Sequence, residues 1–182
     1  MNANIDVSNV IMKTERLTLR PWTLKDLDDF YEYAKVEGVG EMAGWTHHKN
    51  KEESLEILKM FIEEKKTFAV EYQGKVIGSL GIEKYNESLS PELDNKVGRE
   101  IGYVLSKDYW GLGLMPEAVK AVVEYCFKKL KLDFLHASYF EDNKQSKRVL
   151  EKCGFKFYKD VILTTKTNQS YKAVITILEN EL

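Results

Sequence analysis

Cysteine is nearly missing from this chain. Cys126 and Cys153 are the only two, too few for a disulfide framework and without the spacing of a metal or redox motif. Both fall on apolar helix faces, where a free cysteine behaves as a small buried hydrophobe. Histidine is almost as sparse, at three residues, and the adjacent His47 and His48 have no third ligand near them, which argues against zinc. No apolar run approaches the roughly 20 residues needed to cross a bilayer. The first eleven residues lack the basic region and apolar core of a secretory signal, so a cytoplasmic protein is expected. Charge of one sign is missing too: 27 basic residues face 29 acidic ones, a balance that argues against nucleic acid or an anionic membrane as a partner. Prolines number three, and no repeat or linker suggests a second domain.

What remains is the make-up of an ordinary globular domain, 43% hydrophobic and 31% charged. Residues 1–12 are expected to form a flexible N-terminal segment and 13–182 one domain. Alternation over Arg16–Arg20, ended by Pro21, predicts a strand. Thr23 to Asp26 and Asn50 to Glu53 are capping signals, each followed by apolar residues at helical spacing. Phe68–Tyr72 and Lys75–Ile82 flank Gln73-Gly74 as a hairpin. Lys96–Leu105 completes a meander, after a polar stretch from Tyr85 to Asn95 that reads as a loop. A helix over about Pro116–Leu130 leads to a strand at Phe134–Phe140, a short helix at Gln145–Lys152, and strands at Phe155–Tyr158 and Tyr171–Leu178. The fold class is α/β (α+β): a mixed, mostly antiparallel sheet of about seven strands flanked by helices. The crossover through the long helix makes its two flanking strands parallel.

The most informative stretch is Tyr109-Trp110-Gly111-Leu112-Gly113-Leu114-Met115-Pro116. Two glycines, free to take positive φ, stand directly before a helix whose first turn offers unpaired amides. That combination suits a phosphate or pyrophosphate. It is neither a nucleoside-triphosphate loop, because the Lys-Ser/Thr ending is absent, nor a dinucleotide fingerprint, because the third glycine is absent.

With Glu15-Arg16-Leu17-Thr18-Leu19-Arg20, Glu100 to Leu105, Trp110-Gly111-Leu112-Gly113, Glu117-Ala118 and Asn143-Lys144-Gln145-Ser146 taken together, the chain resembles the GCN5-related N-acetyltransferase (GNAT) superfamily. Within it, the likeness is to the branch of ribosomal-protein N-terminal acetyltransferases. The resemblance runs from Thr14 to Phe155. It implies acetyl transfer from acetyl-CoA to a primary amine within a ternary complex, with the pantetheine arm lying between two splayed parallel strands. The acceptor it implies is a peptide or protein N-terminus, or else a small amine such as a polyamine, an antibiotic or an amino acid. A non-catalytic coenzyme A sensor is the remaining alternative. A homodimer is a further expectation drawn from resembling proteins.

The family's pyrophosphate loop places Gln or Arg, then Gly, then Gly or Ala where this chain has Trp110, Gly113 and Met115. Cofactor contacts are therefore expected from Trp110, Gly111, Leu112, Gly113, Leu114 and Met115, and from the backbone around Tyr103, Val104 and Leu105. Asn143 is expected near the thiol end, and Lys144, Lys147 and Arg148 near phosphate. Ser146 resembles the family's candidate general acid, with Tyr158 a competing donor. An alkylamine is mostly protonated near pH 7, so a carboxylate base is needed. Glu100 is the first candidate and Glu83, Tyr85 and Glu141 are weaker ones. Trp45, His47 and His48 fall where family members shape the acceptor pocket.

Overall fold

The computed structural model describes residues 1–181. Eight strands form one sheet: β1 (Met12–Lys13), β2 (Leu17–Pro21), β3 (Thr67–Tyr72), β4 (Lys75–Glu83), β5 (Gly98–Leu105), β6 (Phe134–Phe140), β7 (Lys156–Thr164) and β8 (Ser170–Glu179). Their spatial order is β1-β2-β3-β4-β5-β6-β8-β7. Every neighbouring pair is antiparallel except β5 and β6. That exception follows from α3 (Leu114–Lys128), which carries the chain from the end of β5 back to the start of β6. A helical crossover of that kind returns the chain in the same direction.

Helices cover both faces of the sheet. On one face α3 turns Val119, Val122 and Cys126 inward, and α4 (Lys144–Lys152) adds Leu150; all four are buried against Leu17, Leu19, Phe68, Val70 and Ile101. The other face is covered by α1 (Leu27–Ala34) and α2 (Lys51–Glu64), whose Phe30, Tyr33 and Leu58 pack with Trp22, Ala69 and Val76. The cap signals act as expected at both starts. Asn50 Oδ1 accepts from the Glu53 amide at 2.9 Å, and Asp26 accepts from the Thr23 amide at 2.8 Å while also holding the Arg20 guanidinium.

The first residues are not the loose tail expected of residues 1–12. Ile5 and Val7 are 8% and 1% exposed within the α3-side core. Asn2 bridges to Gly98, the Val7 amide donates to the Lys65 carbonyl at 2.8 Å, and Arg99 donates to the Ala3 carbonyl. Met1, Ala3, Ile5 and Val7 alternate with polar neighbours, a strand-like signal too short to have outweighed the expectation of a tail. Strand β7 also runs on to Thr164 beyond the expected Tyr158, keeping its ladder to β8 throughout, with half-buried and exposed residues alternating from Lys159. Helix α3 begins at Leu114, and Pro116 is its third residue, still within the turn whose amides have no internal partner.

Candidate active site

The parallel pair β5–β6 is short. Its register runs from Gly98↔Phe134 through Arg99↔Leu135 to Glu100↔His136 and stops, although β5 continues to Leu105 and β6 to Phe140. Beyond Glu100 the strands part, and a cavity of about 740 Å³ occupies the opening. On its other side β5 stays zipped to β4 through Gly78↔Leu105. The Ser106 amide bonds the Ile77 carbonyl at 2.8 Å, so in an antiparallel ladder Val104 and Gly102 also bond toward β4, while Tyr103 and Leu105 turn their backbone groups to the opening. The expectation for Val104 is corrected here: its side chain lines the cavity, but its backbone belongs to the β4 ladder. The Leu105 carbonyl is taken by the Trp110 indole N–H at 2.9 Å, so the exposed edge consists of both polar groups of Tyr103 and the Leu105 amide.

At the end of the opening lies the glycine turn. Gly111 and Gly113 have φ of +79° and +74°, values that any side chain would make costly. The amides of Gly111, Leu112 and Gly113 make no hydrogen bond among the described residues. Leu114 and Met115 open α3, where no carbonyl four residues back is available inside the helix. The cap residue is Gly113, with no side chain to compete for these donors. Leu114 and Met115 are themselves core residues, 1% and 3% exposed, so what they offer a ligand is backbone.

A brace behind the turn was not legible in the sequence. Glu117 accepts from Thr14 Oγ1 at 2.6 Å, from the Arg16 amide at 2.8 Å and from Arg16 Nε at 2.7 Å. Arg16 Nη1 then donates to the Leu112 carbonyl at 2.9 Å. The chain before β2 thereby locks the conformation of the turn. Glu117→Ala is expected to weaken acetyl-CoA binding about fivefold, equivalent to ~1 kcal/mol of lost charge-assisted bonding, as titration calorimetry would measure. Unchanged affinity would mean that the turn holds its shape without the brace.

The start of α4 forms the facing wall. Asn143 caps this helix, accepting from the Ser146 amide at 3.1 Å, and its Nδ2 donates to the Met42 carbonyl at 3.4 Å. Ser146 lines the cavity with Lys144, Arg148 and Lys152. Lys147 does not line it; it faces outward and pairs with Glu151 at 3.8 Å. Helical spacing explains the exchange, since residues 144, 148 and 152 share one face.

Glu100 sits at the root of the opening, on the α1–α2 side with Gly102 and Val104. Its Oε1 accepts from Ser138 Oγ at 2.6 Å, a bond that spans β5 and β6 where they begin to part. Burial raises its carboxyl above the usual range, Ser138 opposes the rise, and the negative charge of Glu83 adds to it. Glu83 is the register partner of Glu100 on β4, lines the same cavity, and is held by Lys66 at 2.7 Å.

Several expected site residues lie elsewhere. Tyr85 is beyond the end of β4 and meets Phe134 and His136 edge to face at 5.1 and 5.4 Å. Tyr158 donates to Glu92 and lies over His136 at 4.9 Å; its strand is two places from β6 in the sheet, about 10 Å away. Neither residue lines the cavity. Trp45, His47 and His48 build their loop instead of facing the cavity. Trp45 closes on Gly40, where an added Cβ would lie 2.2 Å from its ring. His47 Nδ1 is 2.7 Å from Glu41 Oε1, and His48 is buried with Nδ1 2.7 Å from Ser54 Oγ. The same loop reaches the cavity through Val39, Met42 and Ala43, and β6 and β7 answer with Phe140 and Leu163. Leu112 and Glu141 also fall outside the cavity lining, although the Leu112 amide stays available on the turn. Both cysteines are unsuited to nucleophilic work, because burial pushes the Cys126 thiol up to about 12 and that of Cys153 to about 11.

The residues present fit acetyl-CoA: free amides and a helix start for pyrophosphate, cations on α4 for phosphate, and an open strand edge for an amide-bearing arm. Comparison with known proteins agrees. A family model described as an acetyltransferase (GNAT) domain matches residues 16–156. YoaA of Bacillus subtilis (strain 168), an uncharacterized N-acetyltransferase, is 31% identical over 155 residues, covering 80% of this chain and 82% of that protein. The crystal structure of a GNAT-family acetyltransferase from Bacillus anthracis superposes with a TM-score of 0.82 at 24% identity, covering 95% of this chain and 100% of that one. The microcin C7 self-immunity acetyltransferase MccE, solved in complex with acetyl-CoA and AMP, superposes with a TM-score of 0.72 at 17% identity, covering 91% and 93%. Among the described residues no helix is long and apolar enough to cross a membrane. Domain match and architecture together place this chain in the GNAT acetyltransferase family, as an acyltransferase that uses acetyl-CoA.

Proposed function

We propose that the chain acetylates a primary amine carried at the end of a slim, peptide-like chain, such as a peptide N-terminus. The observation that carries this reading is a carboxylate held at the root of the β5–β6 opening, in a cavity that the loop after α1 lines with apolar side chains. Val39, Met42, Ala43, Phe140 and Leu163 line the same cavity as Glu100. An added Cβ at Gly44 would lie 3.5 Å from both Phe140 and Thr165, so the loop and the β7–β8 hairpin leave little width between them.

Acetyl-CoA supplies an acyl group already activated as a thioester, so no covalent enzyme intermediate is required. The protein's tasks are binding, orientation and proton handling. The amides from Gly111 to Met115 hold the pyrophosphate, and Lys144, Arg148 and Lys152 supply positive charge beside it. The Tyr103 backbone and Leu105 amide extend the sheet onto the arm. Glu100 takes the proton of the acceptor ammonium, directly or through water, and its burial gives it the basicity for that work. Ser138 holds the carboxylate in place meanwhile. Ser146, from the opposite wall, donates a hydrogen bond to the departing thiolate.

The test is thiol release from acetyl-CoA with a panel of short peptides of varied N-terminus, polyamines, aminoglycosides and free amino acids. Turnover with peptides above the rest supports the reading. Turnover confined to a small amine would move the acceptor to that class. Saturable binding of acetyl-CoA without turnover on any amine would favour a coenzyme A-binding module.

A further inference from the structure

Tyr103 carries a buried hydroxyl that the chemistry above leaves unused. The side chain leaves β5 on the α3–α4 side, and its hydroxyl reaches the first turn of α4. There it lies 2.9 Å from Ser146 Oγ and 3.2 Å from the Ser146 carbonyl oxygen. Ser146 needs no help from it to keep its place: its amide is held by Asn143, and its carbonyl can accept from the helix four residues on. Burial pushes the Tyr103 hydroxyl above the usual phenol range, so it remains a protonated donor wherever the enzyme works.

We propose that Tyr103 is a positioning residue for Ser146, its O–H donating to Ser146 Oγ so that the single serine proton points into the cavity. The inference rests on the reading of Ser146 as the donor to the thiolate. A serine hydroxyl has one proton and two acceptor lone pairs. With no donor behind it, that proton divides between the wall and the cavity. With the phenol donating, a lone pair is filled and the proton is left for the ligand. Two such bonds in series polarise one another, which strengthens the outer bond as negative charge grows on sulfur. No covalent bond changes within the pair and neither oxygen loses its proton.

Binding of coenzyme A itself tests this without knowledge of the acceptor. A cysteine thiol ionises at about 8.5 and a simple alkyl thiol higher, and a site that favours the thiolate binds coenzyme A more tightly, relative to desulfo-coenzyme A, as pH rises toward the ionisation of its thiol. Tyr103→Phe keeps the ring and removes the hydroxyl. It is expected to bind desulfo-coenzyme A as the wild type does at each pH, and to bind the thiolate about tenfold more weakly. Ser146→Ala is expected to lose the same preference, and the double variant to be no weaker than Ser146→Ala alone. The other titratable groups about the pair are Cys153, Tyr139 and the cavity lysines and arginine of α4. All are retained in Tyr103→Phe, so comparison at equal pH isolates the phenol. Wild-type thiolate affinity in Tyr103→Phe, with Ser146→Ala weakened, overturns the positioning role and leaves Ser146 standing. Wild-type affinity in both overturns the role of Ser146 as well. Equal weakening toward coenzyme A and desulfo-coenzyme A reduces Tyr103 to packing and overturns the proposal.

Discussion

Glu100→Gln is expected to lower kcat/KM about a hundredfold near neutral pH while acetyl-CoA binds as before. The amide keeps the shape and can still accept from Ser138 Oγ, so the loss is that of a base. Because burial raises the Glu100 carboxyl, the acid limb of the wild-type pH–rate profile should lie above the ordinary glutamate range. In Glu100→Gln that limb disappears. Stability should move the other way. A carboxyl whose pKa is raised on folding holds its proton more tightly in the native state, so it costs stability once pH rises through the native value. The glutamine variant is therefore expected to melt no lower than the wild type at neutral pH. An unchanged pH–rate profile would remove Glu100 from the proton path. A large fall in melting temperature would make its role one of support.

Gly113→Val should abolish measurable acetyl-CoA binding or weaken it at least about a hundredfold. Two effects combine. A β-branched residue at φ +74° costs on the order of 1–3 kcal/mol in backbone strain, which the turn relieves by moving its amides. The added side chain also meets little of the protein, since among the described residues, chain neighbours aside, Arg16 Nη2 at 3.6 Å is the one atom within 4 Å of a Cβ here, and it therefore stands in the space left for the ligand. Thermal melting separates the two, because strain lowers the melting temperature without ligand whereas blocked space shows only in binding. Undiminished affinity would place the phosphates somewhere other than this turn.

Much of this architecture was legible in the sequence, for reasons that differ by element. The α3 stripe, the β3–β4 hairpin around Gln73-Gly74 and the parallel return through α3 follow from periodicity and chain geometry. The glycine turn with its unpaired amides was legible because glycine before a helix acts through backbone, and backbone does not depend on which way a side chain turns. Side-chain direction is where sequence reasoning ran out. Trp45, His47 and His48 have the chemistry of a pocket, yet Trp45 and His47 find partners within their own loop and His48 finds Ser54 on α2, and the plainer Val39, Met42 and Ala43 line the cavity. Tyr158 is suitable in type but sits on the outermost strand, beside a break in register between Phe157 and Lys159. Ser138 and the Arg16–Glu117 brace depend on contacts between residues far apart in the chain, which one sequence does not reveal. Ile5 and Val7 were missed although Met1, Ala3, Ile5 and Val7 alternate with polar residues, a short period-2 signal that passed for a tail.

In the proposed mode of binding, main-chain groups at the β5 edge and the start of α3 hold acetyl-CoA in the opening between β5 and β6. Crystals grown with coenzyme A test it most directly. The pyrophosphate is expected within hydrogen-bond distance of the amides from Gly111 to Met115, and the arm paired with the backbone of Tyr103. Coenzyme A seated away from that opening, or an opening that stays closed to saturating ligand, would contradict it.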